Sequence, residues 1–267
     1  MLKDITLGPY FPGNSVSHRL DPRLKVLMVV AYIVALFCAQ GLWAYLFCFL
    51  MLALCIGLSR IQLKMMMKGL KPVLFIITFT AVLNMFYTPG VVLWKWWIFT
   101  LTREGIFNAL YMVTRIVMLI MCTALLTYTT SPIALTDALE RLLGPLKKLR
   151  VPVHEFTMMM TIALRFIPTL IEETDKIMSA QKARGADFDS GNLVARARAL
   201  VPVLVPLFVS AFRRADELAT AMECRLYHGG EGRTRLRELH LQRLDWLGGG
   251  LTALCVACVF IISRFWA

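Results

Sequence analysis

From Val26 to Ser59 the chain carries no charged residue. One helix of that length would reach about 50 Å, against a hydrocarbon core of about 30 Å. The Gln40-Gly41 pair therefore predicts a break into two short spans, 24–39 and 42–58, joined by a tight turn. Spans this short imply tilt or local thinning of the bilayer. Four cations follow, Arg60, Lys64, Lys68 and Lys71, and then a third span over 72–87 that starts at Pro72. The connection over 88–103 holds Trp94, Trp96 and Trp97 and few charges. Indoles favour the headgroup level, so it is expected to be an interfacial loop. A fourth span is expected over 104–128 and the last over 247–262, after a long polar region. The pattern predicts an all-α membrane protein with about five transmembrane helices.

The inserted region, 131–245, reads as three further helices rather than an ordinary soluble domain. Ser131-Pro132 supplies an N-cap and a proline at the first helical position, and Gly144-Pro145 a stop. Pro152 opens a second helix that runs to Ala183 and stops on Gly185 in the left-handed cap position, about 48 Å in all. Pro168 must kink it. A third helix starts near Asn192, carries Pro202 and Pro206 on one face, and is expected to end at Gly229-Gly230. The stretch GRTRLRELHLQRLDW alternates charged and apolar residues, which predicts a segment lying along the membrane surface.

Composition agrees with a membrane protein. Of 267 residues 58% are hydrophobic and only 17% charged, where soluble domains hold near a quarter. The mean hydropathy is +0.66. A net charge of +12 does not point to nucleic acid, because no basic run is interleaved with aromatics. The cations instead flank apolar segments, as anchors on an anionic membrane face do. Arg19, Arg23 and Lys25 before the first span, and the four after the second, place the N-terminus in the cytoplasm. The same rule puts the Trp-rich loop outside and 131–245 in the cytoplasm. The first residues are too polar and too broken by Pro and Gly for a signal peptide. Six of seven cysteines lie in apolar runs, where a thiol acts as a small hydrophobe, and the Cys255-x-x-Cys258 pair lacks a second ligand pair for a metal. Cys224 alone lies outside a span.

Catalytic constellations are missing, so no enzyme and no cofactor are expected. His154-Glu155 would open a zinc-protease motif, but Met158 stands where the second His is required. Glu172-Glu173 and Asp216-Glu217 fall mid-helix among cations, as a solvated face does. Arg115 falls near the middle of the fourth span. Such a charge marks a functional site by default; the alternatives are pairing inside the bundle, with Asn84 as the candidate partner, or snorkelling to an interface. The run FTMMMTIALRFIPTL is almost as apolar as a span, yet lies between charged segments. Met158, Met159, Ile162, Ala163, Phe166 and Leu170 form an adaptable apolar platform for another protein or the bilayer surface, beyond what three helices can bury themselves.

The stretches SAQKARGADF and TAMECRLYHGG each end a long helix on an arginine, Arg184 and Arg225, with small residues around it. A cation there complements the negative helix end. The duplication goes further: a small-residue collar lets a helix tip enter a groove and its guanidinium grip a carboxylate in bidentate fashion. Two such tips predict two similar grooves, as a pair of homologous subunits offers.

These stretches, with LGPYFPGNSVSHRLDPRLK, TREGIFNALYMVTRIVMLI, TTSPIALTDALERL and ALRFIPTLIEET, resemble the transmembrane T component of energy-coupling factor transporters, ABC-type importers of vitamins and metal ions. The resemblance covers most of the chain. It implies transmembrane helices over 1–130, a cytoplasmic coupling domain over 131–245 and a final span over 246–267, in a bacterial plasma membrane. In that family two Ala-Arg-Gly motifs insert into two cytoplasmic ABC ATPase subunits. Ala183, Arg184 and Gly185 match the first; Cys224, Arg225 and Leu226 stand at the second, which keeps only its arginine. The coupling helices also cradle a membrane-embedded, substrate-binding S component, so the chain itself would bind neither ATP nor substrate. The competing reading is a conventional ABC permease with its own translocation path, for which only Arg115 and Asn84 offer polar lining.

Overall fold

A computed structural model describes residues 10–96, 99–149, 151–188, 192–229 and 241–266. The chain divides into two compact units, one containing Pro9–Ala138 and Glu238–Ala267, the other Leu139–Arg237.

The first unit is a helical bundle. A short α1 (Val16–Arg19) precedes α2 (Pro22–Cys38), α3 (Gly41–Ser59), α4 (Leu63–Tyr87), α5 (Arg103–Thr129) and, after the second unit, α9 (Arg243–Trp266). Pro22 occupies the first turn of α2, and the Asp21 carboxylate accepts from the Arg23 N–H at 2.9 Å. Gly41, at φ 80°, makes the break between α2 and α3 that the Gln40-Gly41 pair predicted. Four helices, α3, α4, α5 and Arg243–Arg264 of α9, are long and apolar enough to cross a membrane. At 17 residues α2 stands at the bottom of the spanning range. About five spans therefore agrees with the fold.

Two expectations need correction. Helix α4 starts at Leu63, not Pro72, which lies inside it. Buried Met66 and Leu70 carry the helix before the proline, while Lys64, Lys68 and Lys71 stay exposed on its other side. Burial of that apolar stripe offsets the hydrogen bond that Pro72 removes. The Trp-rich connection is also more ordered than a loop. Strand β1 (Val92–Trp96) pairs antiparallel with β2 (Phe99–Thr102), Trp94 opposite Leu101. Its β-branched and aromatic residues favour that ribbon. Trp97 lies outside the described residues. Below the ribbon α4 and α5 nearly touch: a Cβ on Gly105 would meet the Met85 carbonyl at 2.7 Å.

Tyr32, Leu36, Tyr45, Cys48, Leu52, Met66, Met118 and Val259 form the core. Leu27, Val34, Phe49, Phe75 and Phe79 point outward instead. A bundle with large apolar side chains on both its inside and its outside is built for lipid. Arg115 is not paired with Asn84. Its Nε donates to the Tyr45 hydroxyl at 2.9 Å, and its guanidinium stands 5.6 Å from the Phe37 ring centroid. Tyr45, 5% exposed, stacks in turn on Tyr111 at 5.1 Å. Asn84 donates to the Thr80 carbonyl and the Met112 sulfur.

At one end of the bundle lies a buried polar cluster that sequence reading missed. The Asp245 carboxylate, 2% exposed as a residue, accepts the Asp21 N–H at 2.7 Å and the Gln242 N–H at 2.6 Å. Beside it the buried Lys25 donates to the Thr129 carbonyl at 3.1 Å. One carboxylate thus serves the start of both α2 and α9.

Candidate functional site

The second unit carries α7 (Val153–Ala183) and α8 (Leu193–Cys224), preceded by α6 (Pro132–Leu142), which ends beyond Ala138, and a 3₁₀ turn (Gly144–Leu149). Ser131 caps α6 through its hydroxyl, which accepts from Ala134 N–H at 3.3 Å. Asn192 stands at the N-cap of α8, as its sequence position predicted. His154 has no catalytic company among the described residues; its Nδ1 is 3.0 Å from the Glu140 carboxylate.

Helices α7 and α8 run antiparallel, as three ties show. Gln181 donates to the Pro202 carbonyl at 3.3 Å, Glu173 accepts from Ser210 and, at 2.7 Å, from Arg214, and the Tyr227 hydroxyl meets the Met158 sulfur at 3.0 Å. The first tie has a specific cause. Pro206 has no N–H, so the Pro202 carbonyl four residues earlier loses its helical partner, and the Gln181 amide replaces it.

Each helix ends in the same way. At the end of α7, Gly185 N–H returns to Lys182 at 3.0 Å and Ala186 N–H to Gln181 at 3.0 Å. At the end of α8, Leu226 N–H returns to Glu223 at 2.9 Å and Tyr227 N–H to Met222 at 3.0 Å. Both are Schellman closures. Arg184 and Arg225 hold the C-cap with nearly equal backbone angles, φ −86° and −93°. Gly185 at φ 90° and Leu226 at φ 57° supply the left-handed residue. Hence α8 stops at Cys224, and not at Gly229-Gly230 as expected; a leucine takes the position usually left to glycine, and Gly230 lies outside the described residues. Ala183, Arg184, Gly185, Cys224, Arg225 and Leu226 are all exposed.

The two triplets thus sit at opposite ends of the hairpin. Counted from the Glu173–Ser210 tie at the helical rise, Arg184 and Arg225 stand roughly 16 and 22 Å away in opposite directions. Each tip is also held to the neighbouring helix: Gln181 is the residue whose carbonyl closes the first tip, and Tyr227 is the last residue of the second.

The six platform residues lie on the first half of α7. Met159 and Ala163 are exposed, while Met158, Ile162, Phe166 and Leu170 are half-buried. A larger apolar stripe was missed on α8: Val201, Leu204, Val205, Phe208, Val209 and Phe212, all exposed, Phe212 at 70%. Their i, i+3, i+4, i+7, i+8, i+11 spacing is a one-sided helical face, legible in the sequence. The surface stretch expected over 232–246 lies mostly outside the described residues, and from Arg243 it already belongs to α9.

Helices long and apolar enough to cross a membrane, in one chain with a long hairpin that exposes an apolar stripe on α8, define a helical membrane protein. Residues 13–236 match the family described as CbiQ, cobalt transport protein, and the chain belongs to it. It is 53% identical to the energy-coupling factor transporter transmembrane protein EcfT of Ruminiclostridium cellulolyticum, over 98% of both chains. To the protein of the same name from Clostridium kluyveri it is 54% identical, over 100% of this chain and 99% of that one. The Thermosediminibacter oceani EcfT is also 54% identical, over 99% of each. The chain is a transmembrane component of an energy-coupling factor transporter.

Proposed function

We propose that the chain couples and scaffolds an ABC-type importer of the energy-coupling factor class without catalysing a reaction itself. The α7–α8 hairpin is its coupling domain, on the cytoplasmic side of a bacterial plasma membrane. Arg184 and Arg225 each enter a groove on one of two ABC ATPase subunits, and the apolar stripes of α7 and α8 carry a membrane-embedded S component. ATP-driven motion of the ATPases passes through the hairpin to reorient the S component, which brings in a vitamin or a metal ion.

One observation carries this reading: two helices end in the same hydrogen-bonded closure and each presents an exposed arginine at its tip. A guanidinium at such a tip needs no reorganisation to meet a carboxylate. The bundle itself is poorly suited to conduct a metal cation, because Arg115 places a fixed positive charge inside it. That counts against a permease with its own path.

The test is a charge reversal. Arg184→Glu with Arg225→Glu is expected to insert into membranes at wild-type level and to lose its ATPases on co-purification. Wild-type yield of the complex from the double variant would overturn the coupling role. Solute uptake by the chain and ATPases reconstituted without a third protein would favour the permease.

A further inference from the structure

Beyond the coupling role, a second site lies at the end of the bundle where α1 meets α3. A cleft of ≈ 380 Å³ has Asn14, Ser15, Arg19, Gly57 and Arg60 in its lining. Behind it an apolar chamber of ≈ 470 Å³ opens between α2, α3, α5 and α9. Val16, Leu58 and Leu244 line both, so the two adjoin across a shared wall. Both volumes fall in the range of small-ligand sites.

We propose that this cleft and chamber hold one anionic phospholipid, its phosphate on Arg19 and Arg60 and an acyl chain in the chamber behind them. Both arginines are exposed, and neither makes a side-chain hydrogen bond or ion pair among the described residues. Among the described residues no carboxylate lines the cleft or the chamber; the nearby Asp21 and Asp245 are buried and accept backbone N–H groups. Two unneutralised guanidiniums in one cleft are matched to a phosphate.

The chamber accepts an acyl chain for a complementary reason. Its polar groups are already used within the protein: Lys25 donates to the Thr129 carbonyl, Tyr32 to the Cys48 carbonyl and Thr252 to the Gly248 carbonyl. What remains is apolar surface, and exposed Leu50, Leu54 and Leu251 leave it open toward the hydrocarbon. A water-soluble phosphate would leave that surface uncovered, whereas a phospholipid satisfies cleft and chamber together. Arg60 adds a further sign. It closes α3 at φ 56°, a left-handed backbone that strains an arginine and that a glycine adopts freely. A cation kept there against that cost has a task at the site.

The test uses the full chain in nanodiscs of equal phosphatidylcholine and phosphatidylglycerol, with lipid retained through detergent purification identified by native mass spectrometry. Phosphatidylglycerol is expected to be retained about tenfold over phosphatidylcholine. Arg19→Ala with Arg60→Ala should bring the ratio near parity, and the paired lysine variants should restore most of it. Arg60→Gly should raise the thermal midpoint yet lower the preference, a split that a merely structural arginine would not produce. Leu58→Trp, at the junction, should reduce retention of both lipids. Equal retention by the wild type, or an unchanged preference in the double alanine variant, would overturn the proposal. So would displacement of the lipid by glycerophosphoglycerol or inorganic phosphate at equal concentration, since the chamber would then contribute nothing. Crosslinking of Leu54→Cys to another polypeptide in native membranes, in place of lipid, would assign the chamber to a protein and overturn it as well. None of these results depends on whether the ATPases bind the arginine tips.

Discussion

Gly185 and Leu226 hold the same place in two matching helix ends, each the left-handed residue of a closure made by the same pair of backbone hydrogen bonds. The second triplet has lost the alanine and the glycine of the first in sequence but keeps their backbone course. The leucine side chain is 76% exposed, so the substitution costs backbone strain and causes no clash.

That strain is measurable. Leu226→Gly should stabilise the end of α8 by about 1 kcal/mol, and Gly185→Ala should weaken the end of α7 by a similar amount. Amide hydrogen exchange at positions 185–186 and 226–227 reads each end separately, slowing at the second pair in the first variant and quickening at the first pair in the second.

Gln181 and Pro206 should be coupled through the Pro202 carbonyl. Gln181→Ala removes the side-chain amide that donates to that oxygen and should cost about 1 kcal/mol. Pro206→Ala returns a helical N–H to the same oxygen, so in that background the loss should shrink toward zero. Denaturant unfolding of the two single variants and the double gives the interaction energy directly; simple additivity would show that the carbonyl is satisfied by something else.

Tyr45→Phe takes away the oxygen to which Arg115 donates and should destabilise the bundle by about 2 kcal/mol, the scale of a hydrogen bond to a charged group. Arg115→Met in the same background should recover most of the loss, since the half-buried guanidinium left without its acceptor is then gone. Thermal unfolding of the detergent-solubilised chain checks both.

Asp245→Ala should cost about 3 kcal/mol, because it leaves the N–H groups of Asp21 and Gln242 without their acceptor and removes one of the two carboxylates, with Asp21, that face the buried Lys25. Adding Lys25→Met should restore part of it. The midpoint of thermal unfolding again decides.

Local signals were legible in the sequence where one residue type dictates one backbone. Gly41 breaks the first apolar run, Ser131 caps α6, and Gly185 stops α7, each as its chemistry requires. What depended on packing was misread. Pro72 looked like a start and is an interior residue, because burial of Met66 and Leu70 on the preceding turns outweighs one lost hydrogen bond. Leu226 gave no hint of a helix stop, since a leucine reaches a left-handed backbone only where the turn around it fixes the conformation. Tyr45 as the partner of Arg115 joins α3 to α5, and Asp245 meets Asp21 across most of the chain length. Neither pairing leaves a periodic trace. The α8 stripe was different: its spacing stood in plain view but was obscured by Pro202 and Pro206.

The tie at Glu173 holds α7 and α8 together near their middles, with an arginine at each far end pointing away from the other. As a rigid pair they form a balance beam pivoted at that carboxylate. Its arms are unequal, roughly 16 Å to Arg184 and 22 Å to Arg225, so equal loads on the two ends do not cancel. On such a part a push at the end of α8 carries more leverage than the same push at the end of α7.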